Sequence, residues 1–466
     1  MPVLKANIKF GTDGWRGVIA DDYTVENLKI VAQAVADYAG SGKKIAVGYD
    51  TRFMSARFAE IVADVLKNNG ISVILSDRAL PTPALSYTVK HKKLDYGVMI
   101  TASHNPAEYN GFKIKTSTGG AAGPEITREV ENLLGKNPVR ETSGAVVGSI
   151  TKENLITDYV SFCRSYIDFK KIKDKKFKVI VDAMYGSGNS FLGDILKGSK
   201  IHVEFMRAVY NPSFGGKNPE PVEKHLEELK SRVKKEKFDL GIALDGDADR
   251  VAVVGKGGVF IHPQKILGLL ALHLHQDRKW SGGIVKTMPG TTMIDRIAKD
   301  LNITLFETPV GFKYISNLME KEDILAGGEE AGGMGVKNYI PERDGTVAGL
   351  LLLEMMVYRG KDILSILNDV EKKYGRYYYL RDDLHLSKKI SVTKDILPSE
   401  LLGKKVIDVK DPDGVKMMCE DGSWLMLRAS GTEPIVRVYA ESTSLVRSKK
   451  LITIGRDIVF ALEKKG

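Results

Sequence analysis

Three aspartates at alternate positions, Asp245-Gly246-Asp247-Ala248-Asp249-Arg250, directly follow the apolar run Asp239–Leu244. Like charges this close repel strongly unless a cation neutralises them. The spacing is not that of an EF-hand, because the sixth position is Arg250 rather than glycine and the twelfth is Lys256 rather than glutamate. An all-oxygen ligand set with positions left over for phosphate or water suits Mg²⁺. A second stretch, Thr101-Ala102-Ser103-His104-Asn105-Pro106, ends the apolar run Tyr96–Ile100. It puts the Ser103 hydroxyl just past a strand end, where ligands bind in open α/β sheets, and Asn-Pro marks the turn. Ser103 lies in no Gly-x-Ser-x-Gly elbow, and in an extended backbone His104 would point away from it, so a hydrolase triad is not expected.

Two further loops offer complementary chemistry. Ala326–Gly333 flanks Glu329 and Glu330 with glycines, an accessible acceptor array for sugar hydroxyls. Arg428-Ala429-Ser430-Gly431-Thr432-Glu433-Pro434 gathers a guanidinium, two hydroxyls and a glycine amide into a phosphate clamp. Near the start, Phe10-Gly11-Thr12-Asp13-Gly14-Trp15-Arg16-Gly17 combines a close-approach glycine loop with the Arg16 fork. Gly40-Ser41-Gly42-Lys43 imitates a nucleotide loop but lacks the upstream glycine, has Lys44 where Ser or Thr belongs, and leads into a strand. Without a nucleotide loop, the economical chemistry is a serine that carries the phosphoryl group itself. A cation on the aspartates would spread the developing charge, and the distal clamp would hold a phosphosugar by its existing phosphate.

The elements that must position these loops alternate. Helices are expected over Val25–Tyr38, Ser55–Asn68, Pro83–Lys90, Leu155–Ile167, Val222–Lys234, Gln264–His275, Thr291–Leu301 and Thr346–Tyr358. Strands are expected over Lys44–Tyr49, Ser72–Ser76, Tyr96–Ile100, Lys178–Asp182, Asp239–Leu244 and Ile284–Thr287. This is the pattern of mixed or parallel sheets covered by helices. Tyr185-Gly186-Ser187-Gly188 reads as a strand-to-helix turn, and strands Trp424–Leu427 and Ile435–Ala440 with a C-terminal helix Ser444–Lys464 form a different last unit. Polar sequence at Gly144–Thr151, the glycines of Gly255–Gly258 and the region near Gly375 suggest the breaks. The expected domains are 1–150 with the serine, 151–255 with the metal loop, 256–372 for sugar recognition and 373–466 for phosphate binding.

With 466 residues, 43% hydrophobic and 27% charged, the chain has the composition of an ordinary soluble globular protein of several domains. Its two cysteines, Cys163 and Cys419, exclude a disulfide framework, and the start Met1–Lys5 has no signal pattern, so a cytoplasmic location is expected. No apolar run reaches the ~20 residues of a membrane helix. The net charge of +10 lies largely in lysine runs such as Lys170–Lys176, broken by acids and free of aromatics. These read as solvated faces, not a nucleic-acid surface, and their field favours an anionic small substrate.

The serine, aspartate, glutamate and arginine loops, in this order over essentially the whole chain, resemble the active-site loops of the α-D-phosphohexomutase family. The resemblance implies an α/β fold of four domains around a cleft, three related mixed-sheet domains and a C-terminal α+β domain like the TATA-binding protein. It implies Ser103 as the phosphoserine, with Ser103, Asp245, Asp247 and Asp249 holding Mg²⁺, and catalytic roles for Arg16, His104, Lys113 and Arg250. His104 or Lys113 would aid proton transfer. Substrate contacts are implied for Lys286, Gly311, Lys313, Glu329 and Glu330, and for Arg428, Ser430, Gly431, Thr432 and Arg437. The expected reaction is interconversion of glucose 1-phosphate and glucose 6-phosphate through glucose 1,6-bisphosphate, by a monomer or weak homodimer. A phosphomannomutase or dual-specificity enzyme is the alternative; a phosphosugar phosphatase or a non-catalytic phosphosugar-binding protein are further readings. Glu329-Glu330 resembles phosphoglucomutases, whereas Ala331 departs from the family's usual serine, so one hydrogen bond to the sugar, about 0.5–1.5 kcal/mol, is missing or supplied otherwise.

Overall fold

The structure, a computed structural model, describes residues 8–11, 13–142, 148–189, 191–394, 397–430 and 433–465. The chain separates into two compact units, one running to Gly283 and resuming over Gly311–Ile366, the other made of Ile284–Val310 with Leu367–Gly466.

In the first unit, short β-branched runs form the parallel strands Lys44–Tyr49, Ser72–Ser76 and Tyr96–Ile100. Both of their faces are covered, which is why they read as nearly continuous apolar sequence. Tyr109–Thr116 pairs antiparallel with Tyr96–Ile100, and Trp15–Val18 extends that edge. Helices Val25–Ala39 and Ser55–Asn68 pack together and share a core that includes Leu28, Val31, Phe58 and Val62. Each such side chain contributes about 1.5–3 kcal/mol by leaving water. The first helix starts where Thr24 accepts from the Asn27 N–H, a side-chain N-cap. Ile150–Glu153 pairs with Ser72–Ser76, so the expected break near Thr151 carries a strand of the first sheet; residues 143–147 of that stretch lie outside the described residues.

A second sheet runs in the order Val259–Ile261, Val251–Gly255, Leu240–Leu244, Lys178–Asp182 and His202–Met206. Here Gly255–Gly258 is a hairpin turn, not a linker: Gly257 and Gly258 take φ of 75° and 80°, and Val259–Ile261 pairs back onto Val251–Gly255. The helix expected over Val222–Lys234 is also broken. A 3-10 turn at Glu223–His225 precedes the helix Glu227–Lys235, because Leu226 leaves helical geometry to enter the core and the His225 carbonyl accepts from Arg207. Ile324–Gly328 pairs antiparallel with Met334–Val336, and the apolar helix Gly345–Arg359 starts on an Asp344 cap.

Strands Gly283–Thr287, in the second unit from Ile284 on, and Leu305–Thr308 are parallel and joined by helix Thr292–Leu301. A six-stranded sheet follows, its strands paired antiparallel, with helix Leu445–Lys465 against it. The chain thus has three α/β regions and a terminal antiparallel domain, as expected. Among the described residues no helix is long and apolar enough to cross a membrane.

Candidate active site

Ser103 sits at the carboxyl end of Tyr96–Ile100 and Asp245 at the end of Leu240–Leu244, the two strand ends brought face to face in the first unit. Ser103 Oγ donates to Asp245 Oδ2 at 2.8 Å. Its backbone is left-handed, with φ 52°, a state that costs a non-glycine residue about 1–2 kcal/mol. That conformation also corrects the expectation for His104: because the chain is not extended there, side chains do not alternate, and His104 Nδ1 lies 3.2 Å from Ser103 Oγ. Burial, then the cations Arg250, Arg16, Lys113 and Arg52, push the imidazole well below its ordinary range, so it is neutral.

The strained turn is held by a residue that sequence reasoning missed. Buried Arg52 donates from Nη2 to the carbonyls of Ser103 and Asn105, both at 2.6 Å, and from Nη1 to those of Pro106 at 2.7 Å and Tyr109 at 3.0 Å. Asp50 lies 3.2 Å from Arg52 Nε and accepts from Thr101 Oγ1 at 2.6 Å, while the Ser103 N–H donates to that same hydroxyl at 2.9 Å. The available signal was position: Asp50-Thr51-Arg52 follows a buried parallel strand, as Ser103 and Asp245 do.

Asp245, Asp247 and Asp249 are fully buried, and their ligand atoms lie within 4.8 Å of one another. Burial and the two neighbouring carboxylates hold the Asp245 carboxyl well above its usual range. Burial acts likewise on Asp247, but Lys113 and the Thr82 hydroxyl outweigh it and hold that carboxyl low. Lys113 Nζ stands 2.7 Å from Asp13, 2.8 Å from Asp247 and 3.1 Å from Asp249. These acids overcome its burial and keep it firmly cationic. The Oδ1 atoms of Asp247 and Asp249 are buried with no hydrogen-bond partner among the described residues. Orphaned carboxylate oxygens in so acidic a pocket fit a hard divalent cation such as Mg²⁺.

Glycines let the loops meet. A Cβ on Gly246 would stand 2.4 Å from the Ser103 carbonyl oxygen. Gly246→Ala is therefore expected to part serine from aspartates and lower kcat by about 10²-fold, with an unchanged circular dichroism spectrum; full activity would count against this contact. The turn Tyr185–Gly188 proves structural, its Ser187 N–H donating to the Gly246 carbonyl at 2.9 Å. Glu329 and Glu330 lie in the turn after Ile324–Gly328, which approaches the acidic loop through the Val251 N–H to Gly332 carbonyl bond of 3.0 Å. Both glutamates are buried, and Glu329 Oε2 accepts from Arg343 Nη1 at 3.1 Å. Arg343 also meets Asp249 at 2.7 Å, and Asp13. Glu342-Arg343-Asp344, charges packed ahead of an apolar helix, was the overlooked signal.

Arg16 donates to Asn105 Oδ1 at 2.6 Å, and Arg250 donates its N–H to Asp245 Oδ1 at 3.0 Å. Gly311, with φ 130°, starts helix Phe312–Lys321, and burial followed by nearby Arg128 lowers the half-buried Lys313 ammonium. The remaining expected residues belong to the second unit. Lys286 is buried against Asp295. Arg428 Nε donates to Asp413 Oδ2 at 2.8 Å, and the Ser430 N–H to the Ile435 carbonyl at 2.8 Å. Arg437 stands opposite Arg428 on the neighbouring strand and lies 3.7 Å from Asp383. Gly431 and Thr432 lie outside the described residues.

Comparison with known proteins gives four matching family profiles of phosphoglucomutase/phosphomannomutase: alpha/beta/alpha domain I over residues 7–140, domain II over 157–258, domain III over 262–374 and the C-terminal domain over 388–452. A phosphoglucomutase/phosphomannomutase of Thermococcus kodakarensis is 30% identical over 96% of this chain and 97% of its own. A probable phosphoglucosamine mutase of Methanosphaera stadtmanae is 32% identical, covering 93% and 94%. The crystal structure of a putative phosphomannomutase from Thermus thermophilus superposes with a TM-score of 0.86 at 36% identity, covering 98% of this chain and 99% of that one.

Proposed function

Because the chain belongs to the phosphoglucomutase/phosphomannomutase family of α-D-phosphohexomutases, we propose that it interconverts glucose 1-phosphate and glucose 6-phosphate by relay through a phosphorylated Ser103. The observation that carries this reading is the Ser103 hydroxyl bonded to Asp245 at 2.8 Å beside two carboxylates with orphaned oxygens. Asp245, Asp247, Asp249 and an oxygen on Ser103 would hold Mg²⁺, which supplies charge neutralisation for phosphoryl oxygens.

The chain's own residues account for the rest. In the first transfer the Ser103 Oγ–P bond breaks and a bond from phosphorus to a sugar hydroxyl oxygen forms. The hydroxyl proton passes by way of His104, which is neutral and contacts Ser103 Oγ, to the departing Ser103 oxygen, so the serine ends as a hydroxyl; ion-paired Lys113 stays cationic and orients carboxylates. The resulting hexose 1,6-bisphosphate turns over, and the second transfer returns a phosphoryl group and a proton along the same path. Arg428, Ser430, Gly431, Thr432 and Arg437 would grip the phosphate that does not react, while Glu329 and Glu330 accept from sugar hydroxyls.

Comparing kcat/KM for glucose, mannose and glucosamine phosphates, with intact-mass measurement of Ser103 phosphorylation, tests the reading. A preference for glucosamine phosphates is the second reading, favoured by relatives named phosphoglucosamine mutase and phosphoglucosamine/phosphogalactosamine mutase. Steady release of inorganic phosphate in place of isomer would point to a phosphatase. Stripping divalent cations with EDTA is expected to bring isomerisation to background and added Mg²⁺ to restore it; activity that survives stripping removes the metal from the scheme.

A further inference from the structure

Asp247 and Asp249 each have two oxygens, and the protein divides them unequally, whereas both oxygens of Asp245 accept, from Ser103 Oγ and from the Arg250 backbone N–H. Asp247 Oδ2 accepts from Lys113 Nζ at 2.8 Å and from Thr82 Oγ1 at 2.5 Å. Asp249 Oδ2 accepts from Lys113 Nζ at 3.1 Å and from Arg343 Nη2 at 2.7 Å. The Oδ1 atom of each is buried without a hydrogen-bond partner among the described residues. The two cations cannot swing aside, because their side chains are only 1% and 4% exposed and both are tied to Asp13. Arg343 is further fixed by Glu329 and lies 5.4 Å from the centre of the Phe312 ring.

From this division of oxygens we infer that Lys113 and Arg343 determine which divalent cation the loop accepts, by leaving Asp247 and Asp249 one oxygen each to give. The inference rests on the proposed reading of the aspartates as a magnesium site. Mg²⁺ takes six single oxygens in near-octahedral array, whereas Ca²⁺ takes six to eight and draws on carboxylates that chelate through both oxygens. Capping the Oδ2 atoms withholds the second oxygen and disfavours the larger ion. Arg343 also touches the sugar-side glutamate, so its role in the site is to orient, not to react.

The test is calorimetric titration of the unphosphorylated full chain with Mg²⁺ and with Ca²⁺. Loss of one positive charge strengthens both ions alike, so the ratio of the two affinities is the informative quantity. In Arg343→Met that ratio is expected to move toward Ca²⁺ by about tenfold, while Arg343→Lys, which keeps a donor for Asp249 Oδ2, stays close to the wild type. An unchanged ratio in a folded Arg343→Met protein overturns the inference, whereas a wild type that binds neither ion overturns the magnesium reading beneath it. Infrared difference bands of the Ca²⁺-loaded wild type give a check without substitution. A wide separation of the two carboxylate stretches, the mark of single-oxygen ligation, is expected, and the narrow separation of chelating carboxylates overturns it.

Discussion

Ser103→Ala is expected to leave a folded protein in which isomerisation falls by about 10⁴–10⁶-fold, the scale seen when a covalent nucleophile is removed. The substitution deletes two hydrogen bonds, to Asp245 and to His104, so its effect on stability is only about 1–3 kcal/mol and unfolding cannot mimic the loss. Intact mass should show no phosphoryl group on the variant under conditions that load the wild type. Added hexose 1,6-bisphosphate should not rescue it, because in the proposed relay the hydroxyl accepts and returns the group in every cycle. Rescue would mean that the serine only primes the enzyme, and full activity without rescue would end the relay scheme.

The largest effect on stability is expected from Arg52→Met. The buried guanidinium serves four carbonyls of the serine turn, three of them on partly buried residues, and faces the buried Asp50 carboxylate. Removing it leaves a buried charge without its counterion, at a cost of about 3–5 kcal/mol, read as a lower urea midpoint. It also frees the left-handed backbone at Ser103 to relax, so kcat should fall in whatever fraction remains folded. Two buried charges removed together leave no orphaned charge, so the double variant Asp50→Asn with Arg52→Met should be more stable than Arg52→Met alone. A double variant at least as unstable as the single one would show that the carbonyl contacts, not the ion pair, dominate.

Much of this was written locally in the chain. Strands such as Tyr96–Ile100 and Lys178–Asp182 are bounded by their own turn residues, and three aspartates at alternate positions advertise a cation without reference to anything distant. What stayed hidden depends on contacts remote in sequence. Arg343 and Asp13 are 330 positions apart, and Lys113 is 134 from Asp247. A charged residue ahead of a helix or inside a glycine loop does not reveal such a partner. His104 was misplaced for a different reason: pattern reading assumes extended backbone after a strand, and nothing in Ala102-Ser103-His104 signals a positive φ at a serine. Gly255–Gly258 turns the chain back onto the second sheet just before the change from one matched domain to the next, and glycines mark a turn without saying whether the chain leaves the sheet or returns to it.

The second unit draws on two separate stretches of chain, and this bears on how the protein can be cut or shortened. Met288 shares a cluster with Trp424, Met426 and Tyr439, Lys416 donates to the Met288 carbonyl at 2.6 Å, and the Thr292 N–H donates to Glu441 at 2.8 Å. The terminal domain is therefore not a detachable module. A shortened gene product ending near residue 375 would strip the cover from an apolar side chain and orphan backbone groups in the middle of the remaining polypeptide. Loss of the tail should then be felt as misfolding and clearance of the whole chain, not as a protein that merely binds its sugar phosphate more weakly.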